Sequence, residues 1–123
     1  MAPLPISRDE RSAAFFDAAA QGTLLLRWSP ATGAYLPPTA HIDPSAPLSP
    51  LEWRPVAGTG EIVTWTVLPP GGDVVALVEL AEGPWLTVAV RGVAPTALHE
   101  GYQVRIGFER PEGGEAVPVA LPR

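Results

Sequence analysis

Four positions in the first half of the chain have the spacing of a metal grip but none of its ligands. Ser29 and Thr32 stand three apart with Gly33 directly after them, and Asp43 and Ala46 stand three apart a short way on. In a four-cysteine ribbon, two knuckles of the form C-x-x-C hold zinc in a tetrahedron of thiolates, and the first knuckle commonly runs into Gly. The chain has 123 residues and no cysteine, so Ser29, Thr32, Asp43 and Ala46 cannot form that site and no bound metal is expected. His41 precedes Asp43 by two residues, but two ligands without a third make a poor site. His99 beside Glu100 has no partner at a metal-ligand or acid–base spacing, and a solvated surface side chain is the simpler reading of both histidines.

Other chemistry is equally sparse. The sequence contains no G-x-S-x-G elbow, phosphate-binding P-loop or dinucleotide fingerprint. Gly58-x-Gly60 lies between two β-prone runs and reads as a turn, and the serines at 7, 12, 29, 45 and 49 have no base placed near them by any motif. A catalytic nucleophile is not expected. The net charge is −5, the sequence pI is near 4.9, and all eight basic residues are arginine. This balance argues against nucleic acid as a partner, because phosphate backbones need a basic groove. Without cysteine there is no disulfide scaffold of the secreted kind. No signal-peptide pattern or bilayer-length apolar run is visible, so no membrane association and a cytoplasmic location are expected.

The elements that must carry these residues follow from periodicity and punctuation. Ser7 and Glu10 have the spacing of a capping box, and the alanine-rich run behind them, with Gly22 as its stop, predicts one helix over residues 8–21. Adjacent helical residues point about 100° apart, so Phe15 and Phe16 address two surfaces: the chain's own core and a partner, or two parts of one core. Thr23–Trp28 and Ala34–Leu36 are β-prone and flank the first knuckle. Residues 37–50 are too rich in proline for a helix or a central strand and read as a stiff extended loop. Six further β runs follow at Leu51–Val56, Gly60–Leu68, Val74–Leu80, Trp85–Arg91, Gln103–Phe108 and Ala116–Leu121. Short antiparallel strands in this number suit a closed OB-like Greek-key barrel. Trp53 and Trp65 are expected in its core or wall, while Trp28 and Trp85 are candidates for an interface.

Taken in order, these pieces resemble the family first catalogued as domain of unknown function thirty-five, over about residues 10–121. The resemblance rests on Phe15-Phe16, Gly22-Thr23-Leu24, Gly33, Pro37-Pro38, Asp43-Pro44 and Leu51-Glu52-Trp53, then on Gly58 to Val67, Val75 to Leu80 and Leu98 to Val104. It implies a mainly β protein: a five- to six-stranded OB-fold barrel preceded by an N-terminal helix and a degenerate, metal-free, rubredoxin-like zinc ribbon. The implied divisions are a docking helix over 1–22, the ribbon over 23–50 and the OB domain over 51–123. In place of the metal, the proline-rich loop and packing by Trp28, Tyr35 and Trp53 are expected to hold the ribbon.

The same resemblance implies a non-catalytic accessory subunit of a thiolase-superfamily enzyme in acyl-CoA metabolism. Such an enzyme would be a thiolase, an acyltransferase or a retro-aldolase of steroid side-chain degradation. The expected assembly is a heterotetramer, with this chain stabilising its partner and sitting near the CoA entrance while binding no cofactor of its own. Phe15, Phe16, Trp28, Tyr35 and Trp85 are the candidate partner contacts, and Arg91 and Arg105 the candidate CoA contacts. A stand-alone acyl-CoA-binding OB module is the alternative.

Overall fold

The computed structural model describes Asp9, residues 12–69 and residues 71–123. The helix α1 spans Ala13–Ala20, shorter than the expected 8–21, and the Ser7–Glu10 capping box lies outside the described residues. A different reciprocal pair closes the turn before it. The Asp9 amide donates to Ser12 Oγ at 3.0 Å, and the Ser12 amide donates to Asp9 Oδ1 at 2.9 Å. At the other end the Thr23 amide reaches Ala18 O and the Gly22 amide reaches Ala19 O, both at 2.9 Å. Gly22 takes φ +80°, so the helix ends in a Schellman motif of the kind glycine allows.

Three short strands form the ribbon sheet, in the order β2-β1-β3. They are β1 (Leu24–Ser29), β2 (Ala34–Leu36) and β3 (Glu52–Val56). Strand β1 is central and antiparallel to both neighbours, which sets Arg27 opposite Leu36 on one side and opposite Trp53 on the other. The run Leu51–Val56 was expected in the barrel, at the start of an OB domain over 51–123; instead it completes the ribbon sheet. The physical reason is register: Leu24, Leu26 and Trp28 need antiparallel partners on both edges of β1, and β3 supplies the second edge.

The remaining strands close a barrel in the order β4-β5-β6-β8-β7, with β7 returning to β4. They are β4 (Thr59–Val67), β5 (Val74–Leu80), β6 (Trp85–Val90), β7 (Gln103–Glu109) and β8 (Val117–Pro122). All pairs are antiparallel except β6 with β8. This is the five-stranded OB arrangement, and closure removes the sheet edges that an open five-stranded sheet would leave.

One apolar core runs through all three parts. Val74, Ala76, Val78 and Leu80 alternate inward along β5, as do Leu86, Val88 and Val90 along β6. Ile62 and Val104 sit at the centre, and Phe15, Phe16, Leu24 and Leu26 extend the same cluster into the helix and ribbon. Helix, ribbon and barrel therefore bury surface against one another, at roughly 25 cal/mol per Å² of apolar area.

Gly60 marks a close approach of β4 to β5. A Cβ there would run into the Glu79 carbonyl and stand 3.0 Å from Val78 Cγ1, so the strands can lie this close only without a side chain. We expect Gly60→Ala to destabilise the barrel by about 1–3 kcal/mol. Thermal or urea unfolding of the purified variant measures this.

Candidate functional site

The two knuckle-like turns survive as backbone structure. In the first, Ser29 O accepts from the Gly33 amide at 2.7 Å and from the Thr32 amide at 3.3 Å, with Gly33 at φ +66°. That left-handed conformation is one glycine adopts without steric cost. In the second, the Ala46 amide reaches Asp43 O at 2.9 Å and the two residues form an isolated antiparallel bridge. A side-chain hydrogen bond joins the turns: Thr32 Oγ1 donates to Asp43 Oδ2 at 2.6 Å. The other carboxylate oxygen, Asp43 Oδ1, accepts from the Ser45 amide at 2.8 Å.

Asp43 and Ser29 are both buried. The Ser29 hydroxyl is sealed beside the carboxylate without meeting it in full hydrogen-bond geometry. The Thr32 hydroxyl first, then the Ser29 hydroxyl and the Ser45 amide, hold the Asp43 carboxyl below the usual carboxylate range, against a smaller upward push from burial. Two hydroxyls, one carboxylate and one methyl group do not fit a structural zinc ion, and no group of three or more metal-ligating side chains occurs among the described residues. Aromatic packing contributes as expected, with the Trp28 and Tyr35 rings 4.7 Å apart and edge-on. The Thr32–Asp43 bond was not foreseen.

A cleft of about 1090 Å³ lies where the helix, the ribbon, the proline loop and β6 meet. Phe15, Phe16, Arg27, Pro37, Trp53 and Trp85 are among the residues lining it. Phe15 and Phe16, candidates either for a partner contact or for two parts of one core, are 8% and 9% exposed and belong to the chain's own core. Their rings pack edge to face at 5.4 Å, and Phe15 also meets Trp53 at 6.3 Å. Of the two readings the core one fits, because the helix sits on β1 and the barrel together, so both directions about 100° apart find apolar surface within this chain. Trp85, by contrast, is 48% exposed, with its indole Nε1 donating to Glu79 Oε2 at 3.1 Å.

Arg27 also lines this cleft, although nothing in the sequence reading singled it out. Its guanidinium carbon lies 4.4 Å from the Trp53 ring centroid, and its Nε is buried with no hydrogen-bond partner. Burial lowers its pKa, although a guanidinium remains charged at any physiological pH. The signal was present as a lone cation directly after Leu24-Leu25-Leu26. On the other face of the ribbon Arg54 stacks over Trp28, also at 4.4 Å.

The candidate CoA contacts are not equivalent. Arg91 Nε and Nη2 donate to the two Glu109 oxygens at 3.0 and 2.7 Å, and Nη1 donates to Asp73 at 3.3 Å. The Glu109 hydrogen bond first, then the charges of Glu109 and Asp73, raise the Arg91 pKa against the effect of burial. The cluster clamps the ends of β6 and β7 to the loop before β5, a role that keeps the guanidinium occupied. Arg105 is exposed on β7 and lines a separate cavity of about 450 Å³ with Arg110. His41 borders the larger cleft, while His99 meets the Tyr102 ring edge-on at 5.4 Å.

A helix, a ribbon sheet and a closed OB barrel sharing one core define a ribbon-plus-OB protein. Residues 53–109 match the family model described as "ChsH2, C-terminal OB-fold domain". Over nearly the whole chain, the structure is similar to a chain of the solved "Ltp2-ChsH2(DUF35) aldolase". The TM-score is 0.82 at 28% identity, covering 94% of this chain and 96% of that one. A DUF35-family protein of unknown function from Sulfolobus solfataricus is also similar, with TM-score 0.65 at 10% identity over 93% of this chain and 86% of that one. At that identity the likeness concerns the fold alone. No curated protein matches the sequence. In its barrel sequence and in its overall structure, the chain is similar to DUF35 OB-fold proteins.

If Thr32 and Asp43 fasten the ribbon as one unit, Thr32→Val and Asp43→Asn each lower the melting temperature, and the double variant falls no further than the worse single one. Additive losses would mean that the two side chains act separately. The depressed Asp43 pKa also fixes a pH dependence. Its stabilisation is complete above the unfolded carboxyl value of about 3.9 and fades as pH falls through the lower folded value. The difference in melting temperature between wild type and Asp43→Asn is therefore expected to stay constant from about pH 5 to 8 and to shrink only below about 4.

Proposed function

We propose that this chain is a non-catalytic accessory subunit of a thiolase-superfamily enzyme acting on acyl-CoA. One observation carries the reading: its likeness to a chain of the Ltp2-ChsH2(DUF35) aldolase extends over helix, ribbon and barrel alike, at TM-score 0.82. A barrel borrowed for another purpose would not need to keep the helix and ribbon in register with it. The match of residues 53–109 to the ChsH2 OB-fold domain supports the same reading. Within this proposal the partner is a thiolase, an acyltransferase or a retro-aldolase, and the assembly is a heterotetramer. Trp28, Tyr35 and Trp85 present the aromatic surface for contact, and Arg105 stands nearest to a CoA-contact role, since Arg91 is engaged by Glu109 and Asp73.

The test is co-expression with each thiolase-fold enzyme of the same organism, followed by size-exclusion chromatography and assay. One of those enzymes should co-elute with this chain at equal stoichiometry, and lose solubility or activity without it. A monomeric chain that leaves every such enzyme unchanged would overturn the proposal. Calorimetric binding of CoA esters by the isolated chain would favour the stand-alone acyl-CoA module instead.

A further inference from the structure

The strongest unexplained feature outside the fastened ribbon is a cation with no anion. Arg27 lines the large cleft together with Trp53, Trp85 and Pro37 as well as the polar Asp9, Ser12 and His41, and its buried Nε has no hydrogen-bond partner. Among the described residues, no carboxylate forms an ion pair with it. The lining acid Asp9 accepts hydrogen bonds from the Ser12 amide and hydroxyl, each at 2.9 Å. Arg54 and Arg91, by contrast, both reach carboxylates of this chain. The Arg27 guanidinium carbon lies over the Trp53 ring, 4.4 Å from its centroid, a cation–π contact that holds the group in place. Stacking supplies no acceptor for the N–H groups. A buried polar group without a partner costs free energy that a bound anion would recover.

We infer that Arg27 is an anchor for a carboxylate presented by the partner polypeptide, with the apolar stem of that acidic residue or chain end lying against Trp53, Trp85 and Pro37. This deepens the accessory-subunit reading and rests on it for the identity of the occupant. Charge complementarity selects an acidic group. The aromatic and proline walls favour a side chain or chain terminus with carbon next to the charge, over a bare hydrated ion. The half-exposed ring of Trp85 lies at the same cleft, where interface tryptophans commonly contribute most of the binding energy. A guanidinium presents a planar fork to a carboxylate, so Lys should replace it poorly.

Two arms test the inference separately from the proposed function. In the first, the isolated chain is titrated with hexanoate and with hexanamide while the Arg27 Nε–H and the indole N–H signals of Trp53 and Trp85 are followed by NMR. Hexanoate should shift these signals, hexanamide should not, and Arg27→Met should abolish the response. Absence of any hexanoate-specific shift overturns the anchor, whether or not a thiolase-fold partner is found. In the second, affinity within the purified complex is compared for wild type, Arg27→Met and Arg27→Lys. Both variants should weaken binding at least tenfold, while the isolated chain's melting temperature stays close to wild type. Wild-type affinity should fall between low and high salt. If Arg27→Met unfolds the chain, Arg27→Lys still decides, because it keeps the stem and charge and loses only the fork. Undiminished affinity for Arg27→Lys in that case, or for both variants otherwise, overturns the partner carboxylate as occupant. Failure of the wild-type chain to bind any thiolase-fold enzyme counts against the proposed function, and the hexanoate arm still judges the anchor.

Discussion

The bond from the Thr32 hydroxyl to the Asp43 carboxylate holds two segments that have little else to hold them. The β1–β2 turn has a three-residue second strand, and the loop that follows is too rich in proline to build a ladder of its own. Fastening Asp43 to the turn fixes where this loop runs. The loop in turn supplies Pro37, Pro38 and His41 to the wall of the large cleft. Without that fastening the loop would be stiff but unplaced, because proline restricts local dihedrals and says nothing about docking. The cleft around Arg27 therefore depends on a pair of side chains that do not themselves line it.

The fastening joins the same two turns that zinc joins in a four-cysteine ribbon. Zinc gathers four ligands around one point and contributes folding energy outright. Here the equivalent turns are joined by a charge-assisted hydrogen bond, with a backbone amide on the second carboxylate oxygen and a serine hydroxyl sealed alongside. Such a bond contributes less than a metal, so the ribbon must also lean on its neighbours. It does so through Leu24 and Leu26, which belong to the same core as Ile62, Val78 and Val104 of the barrel. The shared core gives helix, ribbon and barrel one cooperative unit, and makes the groove between them a fixed feature of the surface.

Arginine is used in two ways in this chain, and the contrast bears on function. Arg91 closes a clamp with Glu109 and Asp73 that ties strand ends together. Its partly exposed position limits the stability that the clamp contributes. Arg27 has no such carboxylate and lies among rings and prolines, where a charge is costly to leave unmatched. A subunit whose proposed work is to hold another protein would keep its unmatched charge in such a place. The acidic net charge of the whole chain makes this local cation the more distinctive.

The sequence by itself determined the kinds of element and their order. Alternation in Val74–Leu80 and Trp85–Val90 named buried strands, Gly22 named the helix stop, and the absence of cysteine ruled out thiolate ligation. These are local properties, written in period and residue type. Tertiary structure alone decided the rest. That Leu51–Val56 joins the ribbon and not the barrel depends on which edge of β1 needs a partner, a pairing between segments far apart in the chain. That Phe15 and Phe16 are both buried depends on the helix lying across two surfaces at once. Thr32 and Asp43 are eleven residues apart, and no short-range pattern shows that their side chains meet. Arg27 and Arg91 look alike as letters. Only the folded chain, by bringing Glu109 to one and Trp53 to the other, made one a clamp and left the other without an anion.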